Sequence, residues 1–133
     1  MKEAGIFRMA VPRPYGGPQL DPMTQVRVVE ELSRMDGSVG WCAMIGVSGG
    51  FLSAFADPAA VRQLFPDVDT VSAGQIAPLG RADLVEGGYR VSGRWGFASG
   101  CQHADVLFGS CVVFEQGQPR RLLLGLDPKD PFF

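Results

Sequence analysis

The sequence predicts an α+β fold, with helices in the first half of the chain and strands in the second. In residues 1–67, apolar residues recur at helical spacing, and Asp-Pro pairs mark where helices begin. In residues 68–133, short runs rich in β-branched and other apolar residues are separated by glycine-bearing turns, which is typical of strands. We therefore expect a helical part over 1–67 and a β part over 68–133.

Length, charge and cysteine content narrow the class of protein. The 133 residues fit one domain or parts of two, and the net charge of −2 gives no electrostatic basis for binding nucleic acid or an anionic membrane. We find no apolar run long enough to cross a bilayer and no signal peptide. Three widely spaced cysteines indicate reduced thiols in a cytoplasmic protein. A single histidine, His103, without a paired cysteine motif argues against a metal site.

Three helices are expected in the first part. The first opens with Asp21-Pro22, the second with Ser38 as its cap, and the third with Asp57-Pro58. The second helix is apolar on nearly all sides, so we expect it to be buried on several sides. Its glycines suggest that neighbours or a ligand come close to its backbone.

The second part is expected to hold several short strands. They are predicted at residues 70–77, 84–86, 89–92, 95–98, 106–114 and 121–126, with a turn at 78–80. The last strands have no evident partner, so unpaired edges would be left exposed. On this ground we expect the chain to be a piece of a longer protein.

Residues 88–105 are the stretch around which the chain is organised. On an extended strand, Trp95, Phe97 and Ser99 would share one face, opposite small residues. An aromatic face that ends in a hydroxyl would suit a flat ligand with a polar edge. The alternative is that Trp95 and Phe97 are core residues of a β domain, and the spacing alone favours this alternative.

Two stretches resemble the acyl-CoA dehydrogenase superfamily. Residues 5–17, GIFRMAVPRPYGG, followed by VVEELSRMDGS at 28–38, resemble its signature at the end of the N-terminal helical domain. Residues 75–83, QIAPLGRAD, followed by 88–105, are similar to the loop and strand of its middle β-domain that meet the flavin. The resemblance implies the end of an N-terminal helical domain over 1–67 and an incomplete β-barrel middle domain over 68–133. The C-terminal four-helix bundle of the family has no counterpart here.

The resemblance implies a flavin, FAD or FMN, as cofactor. The candidate cofactor-binding residues are Gly74, Gln75, Ile76, Phe97 and Ser99. Trp41 is the candidate for the substrate side, and no catalytic residue and no metal ligand is assigned. Gly74 is included because a small residue lets the main chain approach the ring.

The motif details resemble the flavin-dependent monooxygenase branch of this superfamily more than its dehydrogenases. That branch uses reduced flavin and oxygen to hydroxylate aromatic or steroid-derived substrates, and the stretch GRWGFASG at 93–100 is similar to it. Ala77 replaces the glutamate of the dehydrogenase loop, and residues 48–50 lie where the monooxygenase branch carries a histidine.

Two hypotheses of function stay open. The first is a flavin-dependent oxidoreductase, either acyl-CoA dehydrogenase-like or monooxygenase-like. Its substrate would be an acyl-CoA or an aromatic or polycyclic molecule, and the complete protein would be a homotetramer. The second is a non-catalytic remnant or interaction module that associates with a full-length partner. In both cases we expect the chain alone to be inactive and to bind flavin weakly or not at all.

Overall fold

A computed structural model describes residues 1–123 of the chain. Within these residues, three α-helices come first: α1 (Pro22–Met35), α2 (Gly37–Ser53) and α3 (Pro58–Leu64). Four strands follow: β1 (Ser72–Val85), β2 (Gly88–Ser92), β3 (Val106–Glu115) and β4 (Gln118–Leu123). The predicted α+β fold is confirmed. Residues 124–126 of the last predicted strand lie outside the described residues.

Each helix begins at an aspartate whose side chain accepts hydrogen bonds from the first backbone N–H groups, namely Asp21, Asp36 and Asp57. The predicted starts of α1 and α3 are therefore correct. The predicted cap of α2 is wrong, because Asp36 Oδ1 accepts from the N–H of Ser38 at 2.7 Å and Ser38 lies inside the helix. The N–H of Asp36 also donates to the carbonyl of Leu32 at 3.1 Å, so one residue ends α1 and begins α2.

The second helix is buried on one side and exposed on the other. Its buried residues are small or medium-sized: Gly40, Ala43, Gly46, Val47, Gly49, Gly50 and Ser53. Its large side chains Trp41, Met44 and Phe51 are 54%, 42% and 59% exposed. The expectation of burial on several sides is therefore wrong for the large side chains. The glycines bring the helix backbone close to its neighbours, since a Cβ at Gly46 would collide with the ring of Phe7.

The strands form a mixed four-stranded sheet in the order β2-β1-β3-β4. β1 pairs antiparallel with β2 and parallel with β3, and β3 pairs antiparallel with β4. The core of the sheet contains Ala82, Cys111 and Val113, with Trp95 packed against them. The sheet is open rather than closed into a barrel over the described strands, which agrees with the predicted incomplete β-barrel.

The predicted turn at 78–80 is wrong, because β1 continues through it as a bulge. Gln75 pairs with Gly109 and Gly80 pairs with Cys111, so residues 76–79 have no counterparts in the register with β3. Large side chains of the bulge are exposed, with Ile76 at 64% and Leu79 at 56%. None of the helices described in residues 1–123 combines the length and apolar character needed to cross a bilayer.

Candidate functional site

The bulge of β1 lies against the segment that joins β2 to β3. The side-chain amide of Gln75 donates a hydrogen bond of 3.1 Å to the main-chain carbonyl of Gly96. These are the two stretches that the sequence analysis selected as a cofactor surface. The structure therefore brings Gln75 and Ile76 together with the segment that carries Phe97 and Ser99.

Trp95 anchors this segment in the core of the sheet. Its indole Nε1 donates to the main-chain carbonyl of Ser110 at 2.9 Å. The ring fills a space that glycines leave open, because a Cβ at Gly80 or Gly109 would collide with the indole. Of the two interpretations of Trp95, the core residue is therefore correct.

Phe97 does not share the face of Trp95. The predicted strand at 95–98 is absent, and residues 93–98 have no regular secondary structure. Phe97 has a φ of 58°, in the left-handed region that bulky residues rarely adopt, and its residue surface is 95% exposed. The reversed backbone breaks the alternation of faces, so the predicted common face of Trp95, Phe97 and Ser99 is wrong.

Two cavities border this segment. The first, which we call the Ala98 cavity, has a volume of about 320 Å³ and is lined by Gly74, Trp95, Ala98 and Phe108, among others. The second, which we call the Ser99 cavity, has a volume of about 280 Å³. It is lined by residues of α2, of the start of β1 and of the Ser99–His103 region, including Cys42, Ser72, Ser99 and His103. Ala98 and Ser99, which are adjacent in the chain, thus line different cavities.

Trp41 is not brought to either cavity. It is 54% exposed, and the lining of the Ser99 cavity includes its neighbour Cys42 instead. Because successive residues of a helix point in directions about 100° apart, a one-residue difference moves the side chain to another face. Trp41 therefore lies on the exposed side of α2.

Asp105 fixes the Ser99 region to the start of β1. Its carboxylate accepts from the N–H of Val71 at 2.9 Å and from Lys2 Nζ at 3.1 Å, and its own N–H donates to the carbonyl of Val71 at 2.8 Å. The hydrogen bond from Val71 and the one from Lys2 hold the pKa of the Asp105 carboxyl below its usual value. Asp105 thus ties the segment that follows Ser99 to Val71, the residue before β1.

The thiol of Cys111 is buried in the sheet. Burial raises the pKa of the Cys111 thiol, which disfavours the thiolate. Among residues 1–123, no three His, Cys, Asp or Glu side chains are grouped so that they could hold a metal ion.

Comparison with known proteins identifies the family. Residues 1–70 of the 133 match the family described as "Acyl-CoA dehydrogenase, N-terminal domain", which is more than half of the chain. The chain belongs to this family. The resemblance to the acyl-CoA dehydrogenase superfamily is thereby confirmed.

Relatives of this acyl-CoA dehydrogenase family member are named as monooxygenases. The chain is 32% identical to the oxygenase subunit HsaA of a flavin-dependent monooxygenase from Rhodococcus jostii, over 99% of this chain and 35% of that protein. It is 37% identical to indole-3-acetate monooxygenase from Acinetobacter baumannii, over 80% of this chain and 28% of that protein. The chain therefore spans about a third of the length of these relatives.

Solved structures agree with the sequence comparison. The crystal structure of 3-HSA hydroxylase from Rhodococcus sp. RHA1 matches with a TM-score of 0.87 and 31% identity, over 91% of this chain and 32% of that one. The HsaA monooxygenase from M. tuberculosis matches with a TM-score of 0.86 and 31% identity, over 90% of this chain and 32% of that one. The arrangement of helices and sheet in this acyl-CoA dehydrogenase family member is therefore that of these monooxygenases.

Two residues of the Ser99 cavity were missed as site candidates in the sequence. Ser72 and Cys42 line it together with Ser99. Ser72 lies in the run VSAG, where one small polar residue between apolar ones carries little signal. Cys42 lies in an apolar helix in which the sequence does not show which side faces the cavity.

Proposed function

We propose that this chain carries the flavin-facing surface of a flavin-dependent monooxygenase that hydroxylates a small aromatic substrate. The hydrogen bond from Gln75 to Gly96 supports this most directly, because it joins the two segments that the family resemblance assigns to the flavin. The relatives at 32% and 37% identity are named as monooxygenases, which favours this chemistry over that of an acyl-CoA dehydrogenase. Ala77, in place of the dehydrogenase glutamate, favours it as well.

The residues present fit a flat ring system. Phe97 and Ile76 expose 95% and 64% of their surfaces on the two joined segments, and a planar ring could cover both. An exposed aromatic residue held at positive φ is a strained feature of the kind that collects at ligand sites. The partly buried Ser99 follows two residues later, where its hydroxyl could bond a ring heteroatom.

Each candidate residue has a separate part in this proposal. Phe97 and Ile76 would hold the plane of the ring, and Ser99 would donate to its polar edge. Gln75 would position the segment through Gly96. A Cβ at Gly74 would collide with the carbonyl of Phe108, so packing within the sheet also requires glycine there. Only the backbone of Gly74 is proposed to face the flavin.

The cofactor supplies chemistry that the side chains of this chain lack. When bound, a reduced flavin supplies two electrons to molecular oxygen, so that one oxygen atom becomes the new hydroxyl and the other leaves as water. The chain's own residues would hold the ring, exclude water from one face and position the aromatic substrate. Either FAD or FMN is compatible with the residues described.

A second candidate function is an interaction module that binds a full-length partner. The exposed side of α2 favours it, because Trp41, Met44 and Phe51 are each more than two-fifths exposed. Under this hypothesis the chain would bind a protein rather than turn over a substrate. Both hypotheses predict that the chain alone is inactive.

A chimera tests the first proposal. Residues 1–133 would replace the matching segment of HsaA from Rhodococcus jostii, so that the rest of that oxygenase is supplied. We expect the chimera to bind reduced flavin and to consume oxygen in the presence of an aromatic substrate and a flavin reductase. A folded chimera that binds no flavin would contradict the proposal and would favour the interaction module.

A further inference from the structure

We propose that α2 forms an interface between two copies of this chain, in which the exposed sides of the two helices pack antiparallel. The partner is a second copy, because the spacing of the exposed side chains matches itself when the helix is reversed. The interface involves no flavin and rests on neither of the functions proposed above. It differs from the interaction module in its partner, which there is a full-length protein.

The exposed side of α2 carries large apolar side chains in a single stripe. Trp41, Met44, Phe51 and Phe55 are 54%, 42%, 59% and 55% exposed. Steps of four and three residues alternate along the stripe, which is the spacing of helices that pack side by side. The rings of Phe51 and Phe55 have centroids 5.2 Å apart, so the stripe continues past the last residue of α2. We call this stripe the α2 seam, and its positions are Gly37, Trp41, Met44, Ser48, Phe51 and Phe55.

The spacing of the α2 seam is the same in both directions. Its steps are four, three, four, three and four residues, so the seam is symmetric about the midpoint between Met44 and Ser48. An antiparallel pair of seams therefore aligns every position at once, and Met44 lies opposite the small Ser48 of the second copy. Each contact occurs twice, as in the isologous interface of a two-fold dimer, which closes after two copies.

The outer layers of the paired seams also match in size and chemistry. Phe55 lies opposite Gly37 of the second copy, where a Cβ would meet nothing within 4 Å among residues 1–123. The open space at Gly37 can therefore take the ring of Phe55. Trp41 lies opposite Phe51 of the second copy, and two aromatic rings in contact are favourable beyond the area that they bury.

The α2 seam can be buried without leaving a charge or a polar side chain unpaired. The sequence has no charged residue between Asp36 and Asp57, so pairing two copies of α2 brings no like charges together along the seam. Ser48 donates its hydroxyl to the carbonyl of Ile45 at 2.5 Å, within its own helix. Because this hydrogen bond persists in the dimer, burial of Ser48 leaves no donor unpaired.

The exposed area of the α2 seam is small, so the dimer should be weak. A large side chain that is about half exposed presents on the order of 100 Å² of surface. The large side chains of the two seams would therefore bury roughly 800 Å² in total, which is below the about 1,200–2,000 Å² of stable complexes. We expect a dissociation constant of roughly 0.1–1 mM.

Sedimentation equilibrium of the 133-residue chain tests the interface, at concentrations from well below to well above the expected dissociation constant. We expect a monomer–dimer equilibrium without larger species. Phe51→Glu should raise the dissociation constant at least about tenfold, because it places a carboxylate opposite Trp41 of the second copy. A monomer at every concentration, or species larger than a dimer, would overturn the proposal.

Leu79→Glu is the matched control for Phe51→Glu. Leu79 is 56% exposed and Phe51 is 59% exposed, but Leu79 lies in the bulge of β1 and not on α2. The control adds the same charge and should leave the dissociation constant unchanged. Both side chains are exposed, so both variants should keep the unfolding temperature of the wild type. Equal effects of the two variants on dimerisation would refute the α2 seam as the interface.

A mixture of two variants tests the antiparallel order. Chains with Phe51→Glu are mixed with chains with Trp41→Lys, since these two positions face each other in the proposed dimer. The mixture should associate at least about fivefold more tightly than either variant alone, because one layer pairs opposite charges and the other keeps its native contact. Mixing Phe51→Glu with Met44→Lys is the control, because Met44 faces Ser48 of the second copy. Equal gains in the two mixtures, or no gain in the first, would overturn the proposal.

Two further results would separate this inference from the proposed functions. A chain that stays monomeric but binds full-length HsaA from Rhodococcus jostii through α2 would refute the second copy as partner and favour the interaction module. A chain that stays monomeric but binds FMN at residues 74–76 and 96–100 would leave the flavin-dependent function standing and refute this inference alone.

Discussion

Gln75 and Gly96 are 21 residues apart in the chain, and a hydrogen bond of 3.1 Å from the side-chain amide of Gln75 to the carbonyl of Gly96 joins them. This bond ties the bulge of β1 to the segment that carries Phe97 and Ser99. The proposed flavin surface exists only while these two segments stay together.

Removing the amide of Gln75 should loosen the surface with little effect on the fold. We expect Gln75→Leu to reduce the free energy of unfolding by about 0.5 kcal/mol, at the low end for a hydrogen bond because this one is open to solvent. In the HsaA chimera, the same change should weaken flavin binding, measured by flavin fluorescence. Gln63→Leu on the exposed side of α3 is the control and should leave flavin binding unchanged. Equal flavin affinities for both variants would argue against the joined surface.

We expect the backbone conformation of Phe97 to lower the free energy of unfolding and its aromatic ring to strengthen flavin binding. Phe97→Gly relieves a positive φ that costs about 1–3 kcal/mol, offset by about 0.5–1 kcal/mol of added backbone entropy in the unfolded chain. We expect the free energy of unfolding, measured with urea, to rise by about 1 kcal/mol. In the chimera, loss of the aromatic ring should weaken flavin binding by about tenfold.

Gln116 offers a matched control for Phe97. It also has a positive φ, of 51°, but it lies in the turn between β3 and β4. Gln116→Gly should raise stability by a similar amount without any change in flavin affinity. If Phe97→Gly raised stability and also kept full flavin affinity, Phe97 would not be a cofactor residue.

The glycines around Trp95 should be intolerant of side chains where they touch the indole. A Cβ at Gly109 would lie 2.7 Å from the indole ring, whereas a Cβ at Gly96 would meet nothing within 4 Å. Gly109→Ala should therefore lower the free energy of unfolding by about 1–3 kcal/mol, while Gly96→Ala stays close to the wild type. Chemical denaturation followed by tryptophan fluorescence measures both. Two variants of equal stability would show that the indole is not packed as described.

Asp105 should make stability depend on pH in the acid range. Its pKa is lowered in the folded chain, first by the hydrogen bond from Val71 and then by Lys2. A carboxyl with a depressed folded pKa stabilises the fold above its unfolded pKa of about 3.9, and that contribution is lost as the pH falls through the folded pKa. Asp105→Asn should therefore flatten the dependence of the unfolding midpoint on pH below about 4. Parallel curves for the wild type and the variant would contradict this account.

Much of the helical part could be predicted because its signals are local. Asp21-Pro22 and Asp57-Pro58 each combine a capping carboxylate with a residue fitted to the first helical position, so two helix starts follow from adjacent residues alone. The start of α2 was missed because Asp36 ends one helix and caps the next. A single aspartate in both positions has no separate sequence signature.

The site was harder to predict because its geometry depends on contacts between distant residues. The indole of Trp95 fits only because Gly80 and Gly109, on β1 and β3, leave space for it. Phe97, two residues later, has a left-handed conformation, so period-two alternation fails in this segment. The hydroxyl of Ser72, which is buried without a hydrogen-bond partner among residues 1–123, likewise becomes visible only when α2 and β1 are placed together.

The most direct test of the flavin surface is an NMR titration of the 133-residue chain with FMN, followed at backbone amides. We predict weak binding, with the largest shifts at residues 74–76 and 96–100 and with saturation only well above micromolar FMN. Largest shifts on the exposed side of α2, or elsewhere outside residues 74–76 and 96–100, would contradict the claim that these two segments form the flavin surface.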